Sequence, residues 1–261
     1  MDKTLSPLET HFDVPPIDRV EVMRPLQWIK RGWMDLMDAP GASFGYGLIL
    51  GGIGAFLLWL ESEHPYLLPA SLSCYLLVAP LLAVGVYEIS RRRELGQSTT
   101  FAQSLDGWRR NASSVGLFGV ALMLVAIFWE RSSAILFALL SGDQAPDLNH
   151  FLANVVVSGR YLPLVITWFL SGAALAALVF TLSAVSLPMM MDRGTDPVTA
   201  MMTSVKAVAS NPVTMAVWAG LIVALVVVIG FATLMIGMIV VTPLLGNATW
   251  HAYRDLVRKA A

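Results

Sequence analysis

The chain has 261 residues, 56% of them apolar and only 13% charged. Charged side chains make up about a quarter of an ordinary soluble domain, so this composition excludes a typical water-soluble globule. The net charge of −1 conceals a strong asymmetry along the chain. Its basic clusters lack the interleaved aromatics and overall excess of a nucleic-acid surface, so no nucleic-acid partner is expected.

The seventeen Lys and Arg residues fall at 3–31, 91–110, 193–206 and 254–259, with only Arg131 and Arg160 elsewhere. Long uncharged apolar stretches fill the gaps. By the positive-inside rule this pattern predicts a bacterial inner-membrane protein that crosses an even number of times, with both termini cytoplasmic. The basic clusters also suit an anionic lipid surface. Cys74 is the single cysteine, so neither an intrachain disulfide nor a cysteine-rich metal site is available.

Taken in chain order, residues 1–24 carry acids and prolines but no apolar core. They do not read as a signal peptide but as a cytoplasmic tail, expected to be mobile up to about Arg24. Residues 25–261 are expected to form one membrane domain. A spanning helix needs about 20 mostly apolar residues, and the predicted crossings are 41–60, 67–89, 112–129, 161–189, 212–231 and 233–252. The first two are separated by a short acidic turn, Glu61 to Tyr66. An outer-side insertion occupies 131–160. Its apolar piece, Ala134 to Leu140, is too short to cross and is expected to lie on the membrane or re-enter it. Asp143, Asp147 and His150 follow at i, i+4 and i+7, a metal-binding spacing on a helix, but Pro146 interrupts it and favours a solvated acidic loop. The last two crossings share one apolar run, with Gly230 as the predicted turn.

Overlaying the cytoplasmic segments shows a degenerate repeat. Thr99, Ser104, Leu105 and Asn111 match Thr199, Ser204, Val205 and Asn211, and Asn211-Pro212 matches Ala39-Pro40. Each segment has helical periodicity, with stripes Leu26/Ile29/Trp33/Leu36, Phe101/Leu105/Trp108 and Val198/Met201/Met202/Val205/Val208. Such helices lie flat at the interface or dock under the bundle. Asp196-Pro197 supplies an N-cap and a first-turn proline for the third. Pro80, Pro188 and Pro243 recur in the inward crossings as kink positions. The predicted fold is therefore all-α: six transmembrane helices as three pseudo-repeated hairpins, each preceded by a cytoplasmic-side amphipathic helix. The repeats span about 25–95, 97–194 and 196–261.

Candidate interface residues are two small-residue ladders that let helices approach closely: Ser43, Gly47, Gly51 and Ala55 on the first crossing, and Ala216, Gly220 and Ala224 on the fifth. Packing within the chain is favoured over an oligomer seam. Ionisable groups in mid-membrane, the usual mark of an ion path, are essentially lacking. Glu88 lies within a turn of Arg91 and reads as a salt bridge. Met189, Met190 and Met191 point about 100° apart on a helix, so they suit packing rather than a copper site. No catalytic residue and no cofactor is expected. An enzyme would need an outer site around Glu130, Asp143, Asp147 and His150. A carrier for a lipid-like solute would instead be lined by Ser183, Ser186, Thr242 and Asn247. Trp250, His251, Tyr253 and Arg254 read as an interfacial aromatic cap.

The strings VSLPMMMDRGTDPVTAMMTSVKAVASNP, TPLLGNATWHAYRDLV and RPLQWIKRGWMDLMDAPGASFGYGL resemble an uncharacterised domain-of-unknown-function family of bacterial integral membrane proteins. Some members carry the label cytochrome c oxidase subunit I. A haem–copper catalytic subunit needs histidines deep in its bundle, whereas His11, His64, His150 and His251 lie in the tail, outer turn, outer loop and inner surface. The resemblance therefore implies at most an accessory role. The repeated plan is also similar to the membrane domains fused to some glycerophosphodiester phosphodiesterases, a likeness of architecture alone. The expected function is a non-enzymatic inner-membrane protein, an accessory or assembly component of a larger membrane complex, such as a respiratory one. Its partners are then the lipid bilayer and that complex. The alternative is a channel or carrier for a lipid-like or weakly polar solute.

Overall fold

In a computed structural model the chain is described over residues 14–64, 68–140 and 161–258. These residues are helical throughout, apart from connections and one antiparallel bridge between Ile17 and Val257. Among the described residues four helices are long and apolar enough to cross a membrane: Pro40–Glu63, Ala112–Leu140, Leu162–Arg193 and Pro212–Gly230.

The first helix, α1 (Arg24–Asp38), begins with proline in its first turn and ends at Ala39. Helical geometry is disfavoured for a residue before proline, and at Ala39 the chain leaves it, so α2 (Pro40–Glu63) starts afresh. The same break recurs twice. Ala39, Asn111 and Asn211 adopt φ/ψ of −132/60, −151/55 and −134/51, each ending one helix immediately before the next begins. Next come α3 (Leu68–Glu94), interrupted by Pro80, and the short turns α4 (Phe101–Ser104) and α5 (Asp106–Arg110). A capping box between Thr100 and Gln103 starts α4. The expected single amphipathic helix is thus split at Leu105.

Helix α6 (Ala112–Leu140) runs for 29 residues. The apolar piece 134–140 simply continues this helix, correcting its expected separate, surface-lying or re-entrant placement: no helix breaker separates it from 112–133. The fourth apolar segment is broken into α7 (Leu162–Ser183) and α8 (Ser186–Arg193). The freed backbone at that break is met by Ser204, whose hydroxyl donates to Thr181 O at 2.7 Å and accepts from Val185 N at 3.4 Å. Asp196 caps α9 (Pro197–Ser210) as expected, accepting from the amides of Val198 and Thr199.

Helix α10 (Pro212–Ala224) widens into a π-helical stretch, Leu225–Phe231. The reversal that follows falls after Gly230, with Leu234 and Met235 at φ 48° and 67°. Gly230 is therefore not the turn. Its carbonyl accepts from Met235 N at 2.7 Å, and the wider π-helical turn carries the chain past it. Helix α11 (Met238–Leu256), with Pro243 inside, closes the chain and is buried over most of its length.

α11 is the hub. It packs on α1, α2 and α3, while α3 packs on α6 and α6 on α7. Among the described residues, α7 and α10 share no comparable seam. Burial follows suit: 33% of the apolar window of Pro40–Glu63 is buried, but only 6% of that of Leu162–Arg193. Exposed Leu48, Phe56, Leu124, Phe169, Leu170 and Val223 face outward along the apolar helices, as lipid-bathed side chains do, since acyl chains solvate them as well as a protein core.

The charged end of the bundle is built differently. There Trp28, Trp218, Trp250, Tyr253 and Met189 to Met191 form a close core, with Trp28 edge-on to Trp218 at 5.7 Å. Trp250 and Tyr253 are fully buried, which overturns the expectation of an interfacial aromatic cap. The described part of the expected tail, residues 14–23, is held against the bundle. Asp18 N donates to Leu256 O, and Asn211 accepts from Val20 N at 2.9 Å while donating to Asp18 O. Asn111 makes the corresponding bonds to Met190 O and Thr195 O.

Candidate functional site

Polar chemistry in the described chain concentrates at the charged end, around buried carboxylates donated to by several helices. Asp35, on α1, is 1% exposed. Its carboxylate accepts from Ser90 of α3, lies 2.9 Å from His251 Nε2 of α11, and pairs with Arg93. Arg93 also pairs with Asp38 at 2.5 Å. Ser90 in turn lies 3.0 Å from Asn247 Oδ1, and Asn247 donates to Gly32 O. Thus Asp35 ties three helices through one side chain.

Asp255 of α11 holds the other end of α1. It accepts from Arg24 at 2.7 Å, Arg31 at 2.7 Å and the Trp28 indole at 2.8 Å. Glu88, fully buried, is met by Arg91, Arg92 and Arg110. This places Glu88 in an ion cluster, with Arg91 as one of three partners. Asp192 accepts from Tyr253 OH at 2.8 Å and from Arg254 at 3.3 Å. A recess of about 310 Å³ opens beside it, lined by Arg91, Glu94, Leu95, Asp192 and Arg254. Arg254 bridges Glu94 and Asp192 across it, so the charges in its wall are already paired.

The electrostatics follow from the donors. Burial pushes the Asp35 carboxyl up, but the bonds from His251, Ser90 and Arg93 outweigh it and hold the group below the usual carboxylate range. Asp255 is depressed likewise, burial being overcome by Arg31, Arg24 and Trp28. A carboxyl depressed in the folded state stabilises the fold above its unfolded value. That contribution disappears as pH falls through the lower, folded value. Stability against thermal unfolding in detergent should therefore fall below about pH 4, and the Asp35→Asn variant should show a shallower acid loss than the parent.

Ser90, His251 and Asp35 have the residue types of a hydrolytic triad but not its wiring. Nucleophile activation needs the hydroxyl hydrogen-bonded to the imidazole. Here hydroxyl and imidazole both turn to Asp35 Oδ2. The arrangement clamps helices together.

The two small-residue ladders have different surroundings. On α2, Ser43, Gly47 and Gly51 are buried; a Cβ on Gly47 would lie 1.9 Å from Ile239 O of α11. Pro243 has no N–H to offer that same carbonyl one turn earlier, so the glycine lets α2 close over a backbone group the kink leaves short of a donor. Ala55 is exposed, and Gly54 takes its place in the seam. On α10, Ala216, Gly220 and Ala224 are all exposed, with nothing within 4 Å of a Cβ on Gly220. Pro80 and Pro243 lie inside α3 and α11, whereas Pro188 follows the break between α7 and α8.

The four polar residues expected around a solute path have separate engagements. Ser186 donates back to Leu182 O, and Asn247 belongs to the Asp35 cluster. Ser183 is half-buried, and Thr242 Oγ1 is buried without a partner among the described residues. Asp143, Asp147 and His150 lie outside the described residues. Among those that are described, no cluster of three metal-ligating side chains occurs.

A chain whose described residues are helical, with several exposed apolar helices and dense ion pairing at one end, is an integral membrane protein. Residues 67–192 match the family of predicted integral membrane proteins DUF2189. The matched stretch runs from the start of α3 to the end of α8, and so carries Glu88, its three arginines and the broken fourth segment, but neither α1 nor α11. The family's function is uncharacterised. No curated protein and no solved structure gives a significant match.

Sequence reasoning missed Asp35 and Asn211 as structural centres. The only available signal was an acid inside the otherwise apolar and basic stretch 24–37, and an asparagine in front of a proline.

Proposed function

We propose that this protein is a non-enzymatic accessory or assembly component of a larger membrane complex, such as a respiratory complex, in a bacterial inner membrane. In this reading the chain crosses six times as three hairpins, with both termini on the cytoplasmic, positively charged side. The matched breaks at Ala39, Asn111 and Asn211 and the corresponding bonds of Asn111 and Asn211 support the threefold plan.

One observation carries the accessory role. A ring of three hairpins calls for three seams. α2 packs along α11 and α3 along α6, but α7 and α10 are left without a comparable one. A helix as little buried as α7 is an available wall for another chain's helix, and the exposed ladder of α10 would admit a close approach.

The same unclosed seam favours a second reading, a lateral opening for a lipid-like or weakly polar solute. Affinity purification at native expression in mild detergent, with mass spectrometry and haem absorbance of the eluate, separates the two. The accessory reading expects other membrane subunits in fixed ratio. Recovery of a lone protein carrying bound lipid would reject it in favour of the carrier.

A further inference from the structure

Three segments at the charged end, α1, α4–α5 and α9, leave apolar side chains outward. The expected apolar stripes divide: Leu36 is buried and Ile29, Phe101, Trp108, Met201 and Val208 pack partly buried against the core, while Leu26, Trp33, Leu105, Val198 and Val205 stay exposed. On α1 the bundle receives Trp28, Gly32, Asp35 and Leu36, while Leu26, Trp33, Met34 and Met37 remain 44–53% exposed. On α4 and α5 it receives Ser104 and Gly107, leaving Leu105 exposed. On α9 it receives Thr199, Ala200, Thr203, Ser204 and Ala207, leaving Val198 and Val205 exposed. Small and polar residues thus enter the buried face three times over, and part of each apolar stripe is left outside. We propose that α1 is an interfacial helix that reads anionic phospholipid, its outer face lying in the headgroup region of the leaflet at the charged end.

Three observations select lipid as the occupant. First, α2 begins at Pro40, two residues after α1 ends at Asp38. Met34 and Met37 therefore stand within two turns of a helix long and apolar enough to cross a membrane, which itself exposes Leu48 and Ile49. Second, the face has the composition of an interface anchor, an exposed tryptophan, Trp33, with long apolar side chains beside it. Third, the cations are sorted. Arg24 and Arg31 are committed to Asp255 on the inner side. Lys30 lies exposed in the outer face, between Leu26 and Trp33, and no ion pair holds it among the described residues. A lysine so placed can extend its ammonium to a lipid phosphate while its stem covers apolar surface.

The inference rests on the membrane setting and not on the accessory role. Its test uses the full chain reconstituted in mixed phosphatidylcholine and phosphatidylglycerol vesicles, with one lipid at a time brominated near the headgroup. The Trp33 signal is the difference between the parent and Trp33→Phe, since the chain has eight tryptophans. Trp33 should be quenched by both lipids, with the anionic one enriched about fivefold, the worth of one basic side chain at an anionic surface. Lys30→Gln should abolish that preference and leave the quenching itself. Absence of quenching by either lipid would overturn the proposal, placing the face in water or under another protein. A preference that survives Lys30→Gln would equally overturn the assignment of lipid reading to this helix.

Discussion

Asp35→Ala is expected to cost about 3–5 kcal/mol, the usual result of removing one member of a buried charged cluster. The substitution strands Arg93, His251 and Ser90 together, and releases α1 from both α3 and α11. Asp38→Ala is the control. Its carboxylate pairs with the same Arg93 but is 57% exposed, so its loss should stay within about 1 kcal/mol. Denaturation of the purified protein in detergent, followed by tryptophan fluorescence, measures both. Equal small losses at the two positions would mean that Asp35 does not hold α1 down.

A second large effect is expected at Gly47. A methyl group there meets the Ile239 carbonyl at 1.9 Å, and backbone cannot give way as a flexible side chain does. Gly47→Ala should push α2 off α11 and cost about 3 kcal/mol. Gly220→Ala, with open space around it, should be neutral or gain up to about 1 kcal/mol from helix propensity. Two glycines that belong to similar-looking ladders are thus expected to respond in opposite directions. Matching destabilisation at Gly220 would reveal a close neighbour in its detergent-solubilised state.

These contrasts mark where the sequence was legible. Apolar length and the placement of Arg and Lys are local properties, so the helical class and most helix positions could be read directly. The Asp196 cap and the breaks at Ala39 and Asn211 were legible for the same reason, since proline acts on its immediate neighbour. What could not be read was which side of a helix meets protein. Periodicity identified apolar stripes on α1 and α9, but a membrane protein has two apolar surroundings. Close approach to α11 at Gly32 and to the α7 break at Ser204 selected the small and polar faces for burial.

The charged end was legible as charge and not as structure. Glu88 with Arg91 was visible from spacing. Asp35 needed partners 55 and 216 residues away, and Asn211 partners 191 and 193 residues away. Nothing local announces such contacts. Likewise, the unclosed side between α7 and α10 is a property of assembly, and both helices look like ordinary crossings in the sequence.

That unclosed side is the centre of the functional account, and site-specific photo-crosslinking in intact membranes tests it most directly. A photoreactive residue is placed at Leu170 of α7 or Val223 of α10, both exposed, with Leu48 of α2 as the comparison position. The account predicts a discrete protein adduct of defined mass from Leu170 and Val223 and none from Leu48. Lipid adducts alone at all three positions would contradict it.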